Sequence, residues 1–471
     1  MFLLTLAASA QERVGVTNSN YAGTLGVPLN PSSMVDDKVW LDVNIIGLDL
    51  FVWNNYVYYS KDDFYFWTNV PAAQMPDIRD NLDGSLKDAT VNLRVDGPSA
   101  TLRWGRHAFG LSTAARVFAT AEHAPEPVAK HIFEGLSYRP QRGITYDNRD
   151  FGVYTNAWGE FGLSYGTIVH LKRRSMWNVG ITAKYLMGAA HASLQADRFQ
   201  YNVLDTFNWR IDNFSAEYAL AEPGVAGHGW AFDIGVTYKR LKEPVGSRYV
   251  PFDPMNKCKQ VDYRYRIGLS LIDFGQINYS TQSIYRRFDN APTIWQDYED
   301  FPFDGVYALD GTINSRFPSN QSAGLASPSF SWWLPTAASL QFDYNFGHNV
   351  YANLTYVQGF KMSAHQTGMR RSLISITPRY EIKWVEASLP ISLYDYRYPQ
   401  VGLAFRFYSL IIGSDNIIPF LIPIDVYGFN IYFNLKVSLF KDPKCKGKRK
   451  RFKLRKKGGL KSNHPDDCPA Y

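Results

Sequence analysis

Between Phe429 and Leu439 the chain alternates without interruption. Phe429, Ile431, Phe433, Leu435, Val437 and Leu439 fall on one side, and Asn430, Tyr432, Asn434, Lys436 and Ser438 on the other. Successive side chains leave a β-strand on opposite faces. This period therefore predicts a strand with an apolar surface on one side and a wetter space on the other. The pattern returns along the chain. Phe161, Leu163 and Tyr165 oppose Glu160 and Ser164; Trp177, Val179 and Ile181 oppose Asn178, Thr182 and Lys184; Phe232 and Ile234 oppose Asp233. Ile267, Leu269 and Leu271 oppose Arg264, Arg266 and Ser270, and Leu340, Phe342 and Tyr344 oppose Gln341 and Asp343.

No run of about 18 apolar residues is present, so the chain is not a helical membrane protein. A β-barrel wall escapes that test, because only alternate residues face lipid. Mean hydropathy is −0.26, yet 15% of residues are aromatic, with rings near the ends of several strands as interfacial girdles require. The reading is an all-β fold, a transmembrane antiparallel β-barrel spanning 39–440.

Closure can be tested on paper. Bacterial barrels have an even number of strands, short inner turns and longer outer loops. Fourteen strands are predicted, at 39–58, 91–104, 108–119, 156–170, 177–188, 229–240, 262–284, 336–346, 349–360, 371–382, 386–396, 401–407, 410–415 and 427–440. The long connections 59–90, 120–155, 189–228 and 285–335 then share one side, and the tight turns the other. The inner connection 241–261 is too long for this scheme. Parity requires 262–284 to be one strand, bent at Asp273-Phe274-Gly275. A short helix is predicted at Pro127 to Leu136 in the second outer loop.

The ends differ from the wall. Residues 1–10 read as the remnant of a signal peptide, with Ala8-Ser9-Ala10 as the cleavage pattern. Residues 11–38 are turn-rich and poorly periodic, either a plug in the lumen or a periplasmic leader. The tail 441–471 has a net charge of +9, which leaves the rest at −2, so the overall +7 is a property of the tail. Its run from Lys448 to Lys457 suits anionic lipid headgroups or an acidic periplasmic partner, or is simply solvated; a secreted barrel meets no nucleic acid. Cys445 and Cys468 bracket this tail, either as a disulfide or as two free thiols.

Catalytic motifs are missing: there is no Gly-x-Ser-x-Gly, no His-Glu-x-x-His and no phosphate-cradling glycine loop. The reading is not an enzyme, with no cofactor and no metal. Glu160, Lys184, Asp233, Arg264, Arg266 and Asp343 are expected to face the lumen. There they either pair and tie strands together or line a path.

Several segments resemble known families. Asn30-Pro31-Ser32 before the first strand resembles the Asn-Pro-Ala motif of FadL-type channels and PorV-like barrels, with Ser32 where Ala is usual. Asn54-Asn55-Tyr56, Gly97-Pro98-Ser99, Gly105 to Thr113, Gly229 to Gly235, Leu334-Pro335-Thr336 and Gly413-Ser414-Asp415-Asn416 are similar to a Bacteroidota outer-membrane barrel family of unknown function. The resemblance implies fourteen strands, an N-terminal hatch carrying Asn30, Pro31 and Ser32, insertion by the barrel-assembly machinery and residence in outer-membrane lipid. It implies a channel for small or hydrophobic molecules or, alternatively, a scaffold that docks a secretion or envelope-assembly partner.

Overall fold

A computed structural model describes residues 12–35, 37–61, 78–135, 138–246, 249–252, 260–296, 306–317, 326–363 and 367–442. The leader at 1–10 and the tail from 443 on, with Cys445 and Cys468, lie outside them.

The first wall strand is β1 (Leu41–Asn54). β2 is Lys87–Asp96 continued by Ser99–Trp104, and β3 is His107–Ala124. Thr145–Val203 forms one continuous element of 59 residues. It reverses at Arg173, whose φ is +53°. Its first half (β4) pairs with β3 and its second half (β5) with the next strand. Ser164 meets Thr182 across the fold at 2.8 Å. β6 is Trp209–Ala221 followed by Gly227–Val245. β7 is Tyr263–Tyr279 continued by Ser283–Phe288 and Thr293–Trp295. β8 gathers Ala326–Ser327, Phe330–Trp333 and Ala337–Gly347. β9 (Val350–Gly359) and β10 (Leu373–Glu381) follow. β11 is Val385–Ser388 with Ile391–Tyr394, and β12 is Tyr398–Val401 with Leu403–Phe407. β13 (Leu410–Ser414) and β14 (Gly428–Leu439) complete the wall.

β14 pairs antiparallel with β1, from Leu41 against Leu439 to Trp53 against Gly428, so the sheet closes. Counted as continuous elements the barrel has thirteen antiparallel strands. The folded-back element crosses the wall twice, which adds one and gives fourteen crossings. Antiparallel closure demands that even number.

Side chains are sorted inside out relative to a water-soluble sheet. On β14, Asn430, Asn434 and Lys436 are fully buried, whereas Ile431, Val437 and Leu439 are exposed. Leu163, Ile234 and Leu269 are exposed on other strands, beside buried Ser164, Asp233 and Ser270. A surface of this kind needs an apolar solvent around it.

The bend in β7 is real. Asp273 has φ +56°, and the register against β6 shifts between Leu271 and Phe274. The helix appears as α1 (Glu126–Glu134), stopped by Gly135 at φ +68°. The long connections need correction. The stretch 189–228 is not a loop: β5 runs on to Val203 and pairs with Trp209–Ala221, extending the wall past the apolar band. The stretch 285–335 likewise holds two pieces of β7, two of β8 and α2 (Val306–Arg316). In these extensions both faces touch water or protein, so the strict apolar alternation that identifies the lipid-facing wall is lost.

Replacing Leu269, 54% exposed on the outward row of β7, with Arg should cost about 2–4 kcal/mol in denaturant unfolding from lipid vesicles. An unchanged midpoint would mean that this face does not meet lipid.

Candidate functional site

The segment before β1 lies inside the barrel. It has too little period for a strand, and it folds into two short 3-10 turns, Gly23–Gly26 and Pro31–Val35. Its apolar residues Val14, Leu25, Leu29 and Met34 are buried, as are its polar residues Arg13, Asn18, Asn20, Asn30 and Ser32. Wall side chains satisfy its backbone from many directions. Val14 N donates to Asp415 at 2.9 Å, Ser388 Oγ donates to Gly15 O at 2.6 Å, Lys436 Nζ donates to Tyr21 O at 2.7 Å, and Ser270 Oγ donates to Leu29 O at 2.6 Å. Arg13 reaches Asp49 at 3.1 Å and Asp96 at 2.6 Å.

Asn30, Pro31 and Ser32 sit at the tightest contact with the wall. Asn30 Nδ2 donates to Gln341 at 2.8 Å, and Ser32 Oγ lies 2.7 Å from Asn30 Oδ1 and 2.6 Å from Thr237 Oγ1. Ser32 is therefore a hydrogen-bonding member of the motif, a role Ala lacks. The wall makes room with glycine. Gly180 and Gly235 are register partners on β5 and β6, with Gly166 on β4 and Gly268 on β7 beside them. A Cβ on Gly180 would lie 2.5 Å from Pro31 C and Ser32 N, and one on Gly166 2.6 Å from Val35 Cγ2. One on Gly235 would collide with Asn30 Oδ1. Four neighbouring strands thus carry a glycine row that seats the second turn.

Five of the six expected lumen charges are buried inside. Glu160 pairs with Arg94 at 2.9 Å and Arg116 at 3.3 Å; Lys184 pairs with Asp233 at 2.6 Å and Asp273 at 2.7 Å. Arg266 pairs with Asp343 at 3.3 Å, and Asp343 with Arg379 at 2.7 Å. Arg264 is the exception. A β-bulge between Tyr263 and Tyr265 resets the alternation, and Arg264 points outward at the rim. Sequence pattern missed the hub: Asp273, at the bend of β7, also binds Arg116 at 3.0 Å and Arg370 at 3.0 Å, and Arg370 reaches Glu12 at 2.5 Å. Three voids of about 20, 40 and 20 Å³ remain between the hatch and these pairs, room for a few waters.

The large space lies at the loop end of the wall. The wall extensions, α1 and α2 border an open cavity of about 980 Å³. Phe199, Trp209, Phe214, Tyr218, Trp295 and Phe317 line it, together with Val128 and His131 of α1. Trp209 stacks on His131 at 5.0 Å and meets Trp295 at 6.0 Å; Phe214 stacks on Phe317 at 5.5 Å. On β5 the exposed large apolar residues end at Met187, so this cavity stands beyond the apolar band. Burial among rings pushes the His131 imidazole below its ordinary 6.5.

A profile described as a family of unknown function (DUF5723) matches residues 31–415. No curated protein matches. Among solved structures the chain is similar to a Pseudomonas aeruginosa FadL homologue, at 10% identity and TM-score 0.42, covering 92% of this chain and 99% of that one. It is similar to the Pseudomonas putida toluene transporter TodX, at 8% identity and TM-score 0.33, covering 92% and 96%. A third is the CymD monoaromatic hydrocarbon channel, at 10% identity and TM-score 0.34, covering 92% and 98%.

Two predictions follow from this geometry. Gly180→Val forces the second hatch turn off its seat at about 1–3 kcal/mol. Tryptic cleavage at Lys38 should then run about ten- to hundredfold faster, while the barrel keeps its heat-modifiable gel migration. The second concerns α1. His131 is held neutral in the folded state, so the undocked helix binds the extra proton. Docking of α1 weakens as pH falls below 6.5 and is unaffected above it. Amide exchange of α1, corrected for intrinsic rate, should rise on going from about pH 7.5 to about pH 5.5 by at most tenfold per pH unit, and His131→Phe should abolish the rise.

Proposed function

The chain belongs to that family of unknown function, and from its geometry we propose that it is an outer-membrane barrel that takes up a small apolar molecule from its loop end, with the hatch keeping the lumen closed. The observation that carries this reading is the aromatic cavity of about 980 Å³ at the loop end of a barrel whose lumen voids hold only a few waters. Its size suits a small-molecule site, which typically spans roughly 300–1,000 Å³. The outward apolar rows and the inward polar ones support residence in a bilayer. The outer membrane is where closed barrels of this kind serve.

Binding tests the cavity directly. Titrating the refolded protein with an environment-sensitive apolar dye should give saturable fluorescence, and Trp209→Ala should weaken it about tenfold or more, the loss of one buried aromatic contact. Dye binding that ignores Trp209 would sink the proposal.

A second reading has its own support. The dense pairing around Asp273 and Asp343 suits a permanently sealed scaffold. Planar-bilayer conductance, with and without residues 11–38, separates the two. Openings after deletion support a gated path. Silence in both forms of a folded barrel supports the scaffold.

A further inference from the structure

Cations crowd one side of the short-turn rim with no carboxylate between them. β4 reverses into β5 through Lys172, Arg173 and Arg174, all exposed. Arg173 takes the turn with φ +53°, a conformation that favours glycine or asparagine. The chain thus places an arginine where a smaller residue fits more easily, between two further cations. Arg240 of β6 is the register partner of Ser175 on one side and of Tyr265 on the other. Its guanidinium lies 3.5 Å from Ser175 Oγ, which lies 3.4 Å from Tyr238 OH. Lys172, Arg173, Arg174, Ser175 and Arg240 border an open cleft of about 580 Å³. Arg264, turned outward by the bulge in β7, adds a fifth cation beside Arg240.

Like charges at this density repel one another unless an anion stands near. In the lumen Arg94, Arg116, Lys184, Arg266 and Arg379 each have a carboxylate within 3.3 Å. At the rim no carboxylate of the described residues pairs with any of the five. Asp262 is held by Lys38 at 2.8 Å, and Glu243 does not border the cleft. The C-terminal tail carries +9 and adds to the imbalance. The anion that fits comes from outside the chain.

Depth in the wall says which anion. Trp177, Tyr238 and Tyr265 face outward in a row, with ring centroids 5.0 and 6.1 Å apart. Such a belt of rings marks a bilayer interface. Arg240 stands two residues past Tyr238 on the same face, roughly 7 Å along the strand, which is the level of the headgroups. Short turns mark the periplasmic end of a bacterial barrel. We propose that Lys172, Arg173, Arg174, Arg240 and Arg264, with the Ser175 hydroxyl, bind the headgroup of an anionic phospholipid in the periplasm-facing leaflet. Its acyl chains lie along Trp177 and Tyr238. Guanidinium groups hold phosphate through paired N–H donors, and Ser175 supplies a neutral donor. A headgroup with net negative charge is favoured over a zwitterionic one, whose ammonium would be brought among cations. The proposal rests on the barrel standing in a bilayer and not on the aromatic cavity.

Trp177 reports on this site. The refolded full chain and its Trp177→Phe variant are placed in vesicles of phosphatidylcholine and phosphatidylglycerol, with one or the other lipid carrying brominated acyl chains. The difference in emission between the two proteins gives the quenching of Trp177 by each lipid. A cation near an anionic headgroup contributes a factor of about five. Phosphatidylglycerol should therefore be preferred at Trp177 by about tenfold or more. Arg174→Gln with Arg240→Gln should lower that preference about fivefold or more, with heat-modifiable gel migration confirming the fold. Lys383→Gln, in the turn between β10 and β11, should leave it unchanged. Added salt should weaken the preference of the unaltered chain in the same direction, a reading that needs no variant. Equal quenching by the two lipids, or a preference that survives the double substitution, overturns the site and leaves the barrel in its bilayer. Displacement of phosphatidylglycerol by glycerol phosphate assigns the cations to a soluble phosphate and overturns the lipid. Absence of quenching by either lipid at any tryptophan takes the membrane reading with it.

Discussion

An inside-out barrel has to satisfy the polar side chains that its own alternation drives inward. Outward Leu, Ile and Phe fix which residues face the lumen, and those residues include Asp42, Asp49, Glu160, Asp233, Asp343 and Arg379, all buried. Isolated buried charges cost several kcal/mol each. The lumen therefore either floods with water or supplies partners. Here it supplies them. Opposite charges face one another across neighbouring strands, and the hatch fills the rest with backbone donors and acceptors. Arg13 joins Asp49 of β1 to Asp96 of β2, and Arg370 joins Glu12 to Asp273. Hatch and wall thus complete one polar interior.

That interdependence explains the glycines. A hatch held only by side-chain tips would leave voids, because long wall residues would prop it away from the sheet. The row at Gly166, Gly180, Gly235 and Gly268 lets the Pro31–Val35 turn lie against the wall backbone. Asn30 and Ser32 can then reach Thr237 and Gln341. Glycine in a strand weakens it locally, and the hatch contacts occupy the space its missing side chain leaves.

Much of this was legible in the sequence. Lipid on one side and a polar lumen on the other impose a strict period, so Phe429 to Leu439 announces its strand, and the bend at Asp273 follows from parity. The wall extensions were not legible. Beyond the apolar band there is no single solvent to impose a period, and 189–228 reads as loop although most of it is paired strand. Arg264 shows a finer limit: one bulge between Tyr263 and Tyr265 turns it outward although Arg266, two residues on, still faces in. His191 and Asn156, in contact on neighbouring strands, stand 35 positions apart in the chain. Spacing of that kind means nothing until the reversal at Arg173 is known, because the turn alone sets Asn156 opposite His191.

The loop end and the lumen divide the work by polarity. An apolar molecule gains nothing by entering a lumen of ion pairs, but it can shed water among Trp209, Phe199 and Trp295. A second, separate aromatic cluster packs against the lumen charges. Trp332 meets Trp158 at 5.7 Å and Phe118 at 6.3 Å, and the Arg116 guanidinium stands 4.8 Å over Trp158. Arg116 is also bound to Asp273 and Glu160. This aromatic cluster and the lumen charges therefore meet at one residue. Displacing the rings must disturb the hub that holds Arg370 and, through it, Glu12 at the start of the hatch. This contiguous chain of contacts ties the layer of Trp158 and Trp332 to the start of the hatch.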